Sequence, residues 1–496
     1  MSDAIPLPLA APSGAVALVD AASGAVTSYA ALTERVGRLS DALAARGVGP
    51  GDRVGLLAKN APEVFELLYA CGLAGAMLVP LNWRLSAPEL RSIAADASPR
   101  LLVVGRGFET LGAGIAEDCE LRRDLAFGGP DSEYERALAE ASPRPLGEVS
   151  PSAPAVVLYT SGTTGAPKGA MLSWRQIAFN AEVTIRACEL TERDRCLAFL
   201  PLFHTGGLNC LATPLLRRGG AVVLMESFDA RAAVDAIERH GITATIAVPT
   251  VYEMLLDAEL DRRRASSLRV LLVGGAPCPP RLFDAYAAIG RALRQGYGLT
   301  EVGPNCFTFT PDEPGRRDSV GKPMPGTEAR LIDDAGRPAA DVGELCLRGP
   351  HVTLGYLGKP EQTAAAIDGE GFFHTGDLAR IDDAGYVAIV GRKKEMFISG
   401  GENVYPAEVE RALAEHPDVA QVCVVGVPDE RWGEVGLAAI APRAGTEIDP
   451  DELARFARER LAGYKVPRRW RWVDELPRTT TGKIARAEIL ARFGGG

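Results

Sequence analysis

From residue 29 onward the chain alternates helical and strand-like segments, an order that few architectures can absorb. YAALTERVGRLSDALAARG (29–47) carries apolar residues at helical spacing and stops on Gly, and DRVGLLA (52–58) then reads as a short buried strand. A helical APEVFELLYACGLAGA runs into the strand MLVPLN (77–82), and the helix ELRSIAADA precedes the strand RLLVV (100–104). Strands separated by helices predict parallel sheets covered by helices. Past a polar, Pro-rich interval (141–155) the alternation resumes with AVVLYT, a helix around 173–188, RCLAFLPLF, GAVVLM, a helix over 229–240, ITATIAV and LRVLLVGG (268–275). After about residue 305 short strands and many turns predict a β-rich segment. Beyond GRKKE (391–395) a separate helix–strand pattern covers about a hundred residues. The expected fold is α/β: a large N-terminal domain over 1–391, with parallel αβ sheets and a β-rich subdomain, then a small α+β C-terminal domain over 392–496.

Length and charge narrow the function classes. At 496 residues one compact core is too small, so two or more domains are expected. A net charge of −10 argues against a nucleic-acid-binding face, so any nucleotide contact should be a local pocket. Nine cysteines stand singly with no CxxC pair, which reads as reduced, buried thiols in a cytoplasmic protein, and no His/Cys cluster has metal-ligand spacing. The N-terminus lacks a basic secretory start, and the apolar stretch 67–81 is shorter than a membrane span; it reads as a buried helix running into a strand. Only eight of the 54 basic residues are lysine, so each lysine carries more information than usual.

Four stretches and one histidine carry candidate chemistry. TSGTTGAPKG (160–169) follows a strand and is read as preceding a helix; its glycines allow close approach, its hydroxyls and N–H groups suit an anion, and Lys168 adds a mobile charge. The G-x-x-x-x-G-K-S/T phosphate motif cannot be laid on it. Alone, the stretch is a phosphate cradle or a flexible polar turn. In QGYGLTE (295–301), Tyr297 can stack on a base, Thr300 can donate to a phosphate and Glu301 can hold Mg²⁺; the alternative is a tight turn with a solvated carboxylate. Asp377, read as held by a turn, can accept from both ribose hydroxyls or be an ordinary capping Asp, with Arg392 just past a strand. Lys483 sits in a Thr/Gly turn opening a helix, where a plain surface lysine would also fit. His204, in PLFHTGG, reads by itself as a satisfied core imidazole.

Together, in order and spacing, these elements resemble the adenylate-forming superfamily of acyl-CoA synthetases, aryl-CoA ligases, non-ribosomal adenylation domains and firefly-type luciferases, over roughly residues 25–490. The resemblance implies a two-step reaction. A carboxylate attacks the α-phosphate of MgATP to give acyl-AMP and pyrophosphate, and a thiol then displaces AMP. One anion must meet another, so catalysis should be electrostatic and positional. By resemblance, Thr160, Ser161, Gly162, Thr163, Thr164, Gly165 and Lys168 embrace the β- and γ-phosphates. Thr300 contacts the α-phosphate and Glu301 binds Mg²⁺. Gly274, Ala276, Pro277 and Tyr297 form the adenine slot, and Asp377 and Arg392 grip the ribose. Lys483 bridges the substrate carboxylate and α-phosphate; with Lys168, Thr300, Glu301 and His204 it makes up the candidate catalytic set. The resemblance also makes the small domain mobile, with a hinge near Lys394 and an SGGEN loop bearing Gly400 and Gly401 that completes a thiol channel after rotation. One departure is Ile398, where some aryl-CoA ligases carry a lysine.

The implied substrate is a small-molecule carboxylic acid. PLFHTGG offers no carboxylate for an α-amino group, and FHTGG, VPTVYEML (248–255), GGAP and YGLTEVGPN are apolar or small, with Tyr252 and Met254 nearby. A hydrophobic acid, aryl or medium-to-long acyl, follows. Arg281 is a candidate reader of a second carboxylate, without support from its neighbours. Coenzyme A is the expected acceptor, since no carrier domain follows the small domain. The alternatives are a stand-alone acyl-AMP ligase loading a carrier protein and an inactive nucleotide-binding relative. The expected protein is soluble and cytoplasmic, with no transmembrane segment, and a homodimer is the candidate assembly.

Overall fold

The computed structural model describes residues 5, 6, 9, 12–160, 167–309, 316–479 and 483–494. The helix Tyr29–Ala45 opens on Ser28, whose hydroxyl accepts from the Ala31 N–H, and buries the stripe Leu32, Val36, Leu39 and Leu43. The helix Pro62–Ala74 is buried from Val64 to Gly72 and ends at Gly75, whose φ of 72° releases the chain into the strand Met77–Pro80. The expected helix-into-strand at 67–81 is therefore present.

A first sheet runs in the order Lys168–Ser173, Pro154–Thr160, Met77–Pro80, Arg53–Leu57, Leu101–Val104, Arg122–Ala126. All its neighbours are parallel except the first pair. A second sheet runs Leu293–Gln295, Val270–Val273, Ala244–Ala247, Arg195–Ala198, Ala221–Leu224, Val16–Asp20, Val26–Ser28, parallel but for its last hairpin. Alternate residues of each strand face opposite ways. Val54, Leu56, Leu101 and Val103 of the first sheet share one core with Leu18, Val222 and Leu272 of the second, across the helices Tyr29–Ala45, Pro62–Ala74 and Trp174–Ala187. The outer faces carry Leu57, Leu102 and Val104 against Ala87–Ala97, and Val19, Leu197 and Leu271 against Ala230–His240. The result is helix, sheet, helix, sheet, helix. Each fully buried Leu or Val contributes roughly 1.5–3 kcal/mol of transfer free energy.

One reading of the sequence changes here. Pro154–Thr160 belongs to the first sheet. Lys168–Ser173 returns antiparallel to it, with Lys168 opposite Thr160. The hydroxyl-rich stretch therefore bridges a hairpin rather than a strand and a helix; the helix Trp174–Ala187 begins only after the second strand.

The β-rich part is a five-stranded sheet, Ser319–Gly321, Val387–Arg392, Phe373–Ile381, Val342–Arg348, Glu328–Ile332, antiparallel throughout. After Arg392 a smaller sheet pairs Glu402–Val404, Phe397–Ser399, Gly433–Pro442 and Val419–Asp429, with Arg469–Trp472 parallel to Gly433–Pro442. The helices Pro406–Ala414 and Pro450–Arg458 supply Val409, Leu413, Leu453 and Ala457 to its core. No described helix is long and apolar enough to cross a membrane.

Candidate active site

Asp377 lies within the strand Phe373–Ile381 rather than in a turn, directly opposite Arg392. Gly376, with φ of 69°, supplies the local kink that reads as a turn in sequence. The carboxylate pairs with Arg392 Nε at 2.9 Å and accepts from the Tyr297 hydroxyl at 2.5 Å. Burial pushes the Asp377 carboxyl up, and Arg392, Tyr297 and Lys483 oppose that push. Below it, Glu344 accepts from the Gly376 N–H at 3.2 Å and pairs with Lys393 at 3.2 Å.

Tyr297 follows the strand Leu293–Gln295, in a turn that only glycine closes: a Cβ on Gly298 would sit 2.3 Å from the Gly303 carbonyl oxygen. Its ring stands edge-on to Phe307 at 5.6 Å. The GGAP loop leaves the neighbouring strand Val270–Val273, and a Cβ on Gly274 would lie 3.6 Å from Gly296 O. Gly274 thus lies beside the turn that carries Tyr297, and Ala276 and Pro277 after it are exposed.

Thr300 and Glu301 continue into a short 3-10 turn. Glu301 accepts from the Tyr356 hydroxyl at 3.0 Å. Burial raises its carboxyl, and its own backbone N–H, Tyr356, Arg392 and Lys168 work against that. Lys168 Nζ lies 5.2 Å from the centre of the Tyr356 ring. Thr160 and Lys168 end the two hairpin strands, while Ser161, Gly162, Thr163, Thr164 and Gly165 lie outside the described residues. Among the described residues no three His, Cys, Asp or Glu side chains group as metal ligands.

Lys483 reaches this cleft from the small domain. Its Cε lies 3.9 Å from where a Gly275 Cβ would be. The residue keeps solvent access, yet the crowded cleft and the Arg392 guanidinium hold its ammonium below the ordinary lysine range, opposed by Asp377, Glu301 and Glu395. His204 caps the short helix Thr205–Gly207, its Nδ1 accepting from the Gly206 N–H at 3.2 Å, so Nε2 carries the proton. Burial, then Lys483, lower it to about 4, and it is neutral at pH 7.

The linker is anchored on both sides of Lys394. Lys393 donates its N–H to Gly376 O at 2.9 Å and its ammonium to Glu344, while Glu395 pairs with Arg486 at 3.1 Å. Arg486 also forks onto Glu410 and onto Val424 O at 2.7 Å, fastening the helix Arg486–Phe493 to the small sheet. Gly400 and Gly401 turn the hairpin after Phe397–Ser399; Gly400 donates to Trp432 O at 2.9 Å, inside the small sheet. Ile398 is 49% exposed.

The structure thus gathers Lys168, Tyr297, Glu301, Asp377, Arg392, Lys483 and His204 at one cleft. It does not bring in Tyr252 or Met254. The Tyr252 hydroxyl is spent on Thr245 O and Leu272 O in the core, and Met254 faces solvent. Arg281 is paired with Glu253 at 2.7 Å and donates to Ala420 O at 3.3 Å. Tyr356 was missed, since within GYLGKP it shows in sequence only as an aromatic after glycine.

This is the layout of a nucleotide-dependent carboxylate-activating enzyme, and the chain belongs to the AMP-binding enzyme family. The family's model matches residues 9–357, and the model of the AMP-binding enzyme C-terminal domain matches 408–483. Feruloyl-CoA synthase from Amycolatopsis sp is 42% identical, covering 95% of each chain. Indoleacetate--CoA ligase from Aromatoleum aromaticum is 41% identical over 93% of this chain and 92% of its own. The crystal structure of ATP-bound MatB from Rhodopseudomonas palustris superposes with a TM-score of 0.90 at 32% identity, covering 98% of this chain and 97% of that one.

Proposed function

We propose that this chain joins a hydrophobic carboxylic acid, aryl in the first instance, to coenzyme A through an acyl-adenylate. It is an AMP-forming acid–thiol ligase: the acid attacks the α-phosphate of ATP, pyrophosphate departs, and the thiol of CoA then expels AMP. The carrying observation is the approach of Lys483 to Gly275 and His204 in the same cleft as the Asp377–Arg392 pair.

Each residue's part follows from its setting. Asp377, oriented by Arg392 and Tyr297, accepts from the ribose hydroxyls, and Tyr297 with Gly274, Ala276 and Pro277 takes the adenine. Lys168, at the mouth of the hairpin loop, meets the pyrophosphate end, and residues 160–165 are assigned the same task. Thr300 donates to the α-phosphate. Lys483 draws the carboxylate and the α-phosphate together, offsetting their repulsion where both are least solvated. Neutral His204, with a proton on Nε2, lines the acyl entrance and presents no charge to a hydrophobic acid.

Among the described residues Glu301 belongs to no cluster of three potential metal ligands, which fits Mg²⁺ that arrives on the nucleotide, since Mg²⁺ takes one or two carboxylates plus phosphate oxygens and water. Glu301 would hold it, and the ion would withdraw charge from the phosphates.

The domain division at 391/392 with a swivel at Lys394 belongs to the same proposal. The anchors on Lys393 and Glu395 support it, because they leave Lys394 between two fixed groups.

The test is acid-dependent pyrophosphate release with MgATP across aromatic, aliphatic and dicarboxylic acids, then thioester formation on free CoA and on a phosphopantetheinyl carrier. Release with aryl acids and transfer to free CoA is expected. Transfer to the carrier alone would replace CoA as acceptor, and no release with any acid would mark an inactive relative.

A further inference from the structure

We propose that Tyr356 is a positioning residue for the metal–phosphate end of the cleft, its hydroxyl setting the Glu301 carboxylate and its ring seating Lys168. This rests on the roles of Glu301 and Lys168 proposed above.

Tyr356 sits on a short extended segment laid along the strand Lys168–Ser173. Leu354 N–H donates to Met171 O at 3.0 Å, Met171 N–H to Gly355 O at 2.9 Å and Leu357 N–H to Gly169 O at 2.8 Å, with Tyr356 opposite Ala170. Gly355 has φ of 112°, and a Cβ there would meet Thr363 Cγ2 at 2.3 Å, so the segment has one way to lie. Both the backbone and the side chain of Glu301 are referenced to it. Thr353 N–H donates to Glu301 O at 2.7 Å, and the Tyr356 hydroxyl donates to Glu301 Oε1 at 3.0 Å. Lys168 opens the strand on which the segment is laid and lies over the Tyr356 ring at 5.2 Å. One rail therefore fixes the distance between a carboxylate assigned to the metal and an ammonium assigned to the departing phosphates.

Tyr252 and Tyr286 give their hydroxyls to backbone carbonyls in the core, and Tyr134 and Tyr159 give theirs to Glu66 and Asp96, carboxylates with no assigned part in the cleft. Tyr356 gives its hydroxyl to an acidic side chain at the reactive cleft. With the hydroxyl gone, Glu301 keeps its place in the chain but loses the bond that orients its oxygens. With the ring gone as well, Lys168 loses the face that holds it at the mouth of the loop.

The experiment compares wild type, Tyr356→Phe, Tyr356→Leu and Glu301→Gln. ATP binding is measured by calorimetry with excess Mg²⁺ and with a chelator, and pyrophosphate release is titrated with Mg²⁺. A hydrogen bond to a charged group is worth about 1.5 kcal/mol or more, so Tyr356→Phe should weaken MgATP binding about tenfold. The Mg²⁺ midpoint should rise in step, while metal-free ATP binding stays within about twofold of wild type, inside the scatter of an uninvolved contact. Tyr356→Leu should weaken metal-free binding too. A Phe variant with wild-type MgATP affinity and Mg²⁺ midpoint overturns the proposal if Glu301→Gln shifts both. If Glu301→Gln shifts neither, the metal role of Glu301 itself fails. Equal loss with and without metal in the Phe variant also refutes a metal-end role.

Discussion

Replacing Lys483 with Ala should separate the two half-reactions. The side chain crosses from the small domain to lie 3.9 Å, at Cε, from where a Gly275 Cβ would be, within electrostatic reach of His204, Asp377 and Glu301. A preorganised donor aimed at developing charge in a cleft of this kind is worth about 2.7–4 kcal/mol, a factor of roughly 10²–10³ in rate. Adenylation, followed as single-turnover pyrophosphate release, should fall by that factor. Thioester formation from supplied acyl-AMP should change less than about threefold, because a uniform binding loss is the only other route by which Lys483 would act there. The pH dependence carries the same signature. The folded lysine loses its proton below the ordinary lysine range, so adenylation should decline on the alkaline side early, and Lys483→Arg should remove that limb while keeping the charge. Equal slowing of both half-reactions in Lys483→Ala would refute the reasoning.

Three further outcomes are expected. Lys394→Pro should slow thioesterification far more than adenylation, and equal slowing in the two half-reaction assays would count against a swivel there. Asp377→Asn removes the charge that Arg392 and Tyr297 hold, and should raise the KM for ATP roughly ten- to a hundredfold, from about 1.5–3 kcal/mol for a charged hydrogen bond; 2′-deoxy-ATP should then be discriminated less than by wild type. His204 and His351 are both lowered to about 4 by burial, so the unfolded chain binds more protons between its own histidine value and pH 4. Their contribution to stability is whole above about pH 6.5 and falls as pH drops, on the order of 3 kcal/mol for each by pH 4. Urea unfolding between pH 7 and 5 should show a slope that His351→Gln flattens.

The central strands were legible because VGLL, MLVP and LLVV are short, apolar and flanked by helical spacing, and the structure buries all of them. The hairpin after Thr160 was not, since a strand, a Gly-rich gap and a second apolar run look alike whether the chain turns back or enters a helix. Asp377 read as a turn residue because Gly376 does adopt positive φ, but pairing with Arg392 keeps the strand going. Tyr356 was invisible because its partners lie 55 residues away at Glu301 and across a sheet edge at Lys168. Tyr252 erred in the opposite direction: close in sequence to the expected acyl pocket, it turns its hydroxyl to the core.

The anchoring on either side of Lys394 also bears on timing. In the proposed swing about that residue, the bonds that Glu395 and Met396 N–H make to Arg392 O, each 3.0 Å, would stretch, while the Asp377–Arg392 and Glu395–Arg486 pairs, one on each side, would not need to break. On that proposal the linker would work as a bearing set outside the nucleotide's grip. AMP would then stay seated while the small domain changes face, and the interval between half-reactions would follow the torsions of one lysine rather than the affinity of the site for its adenylate.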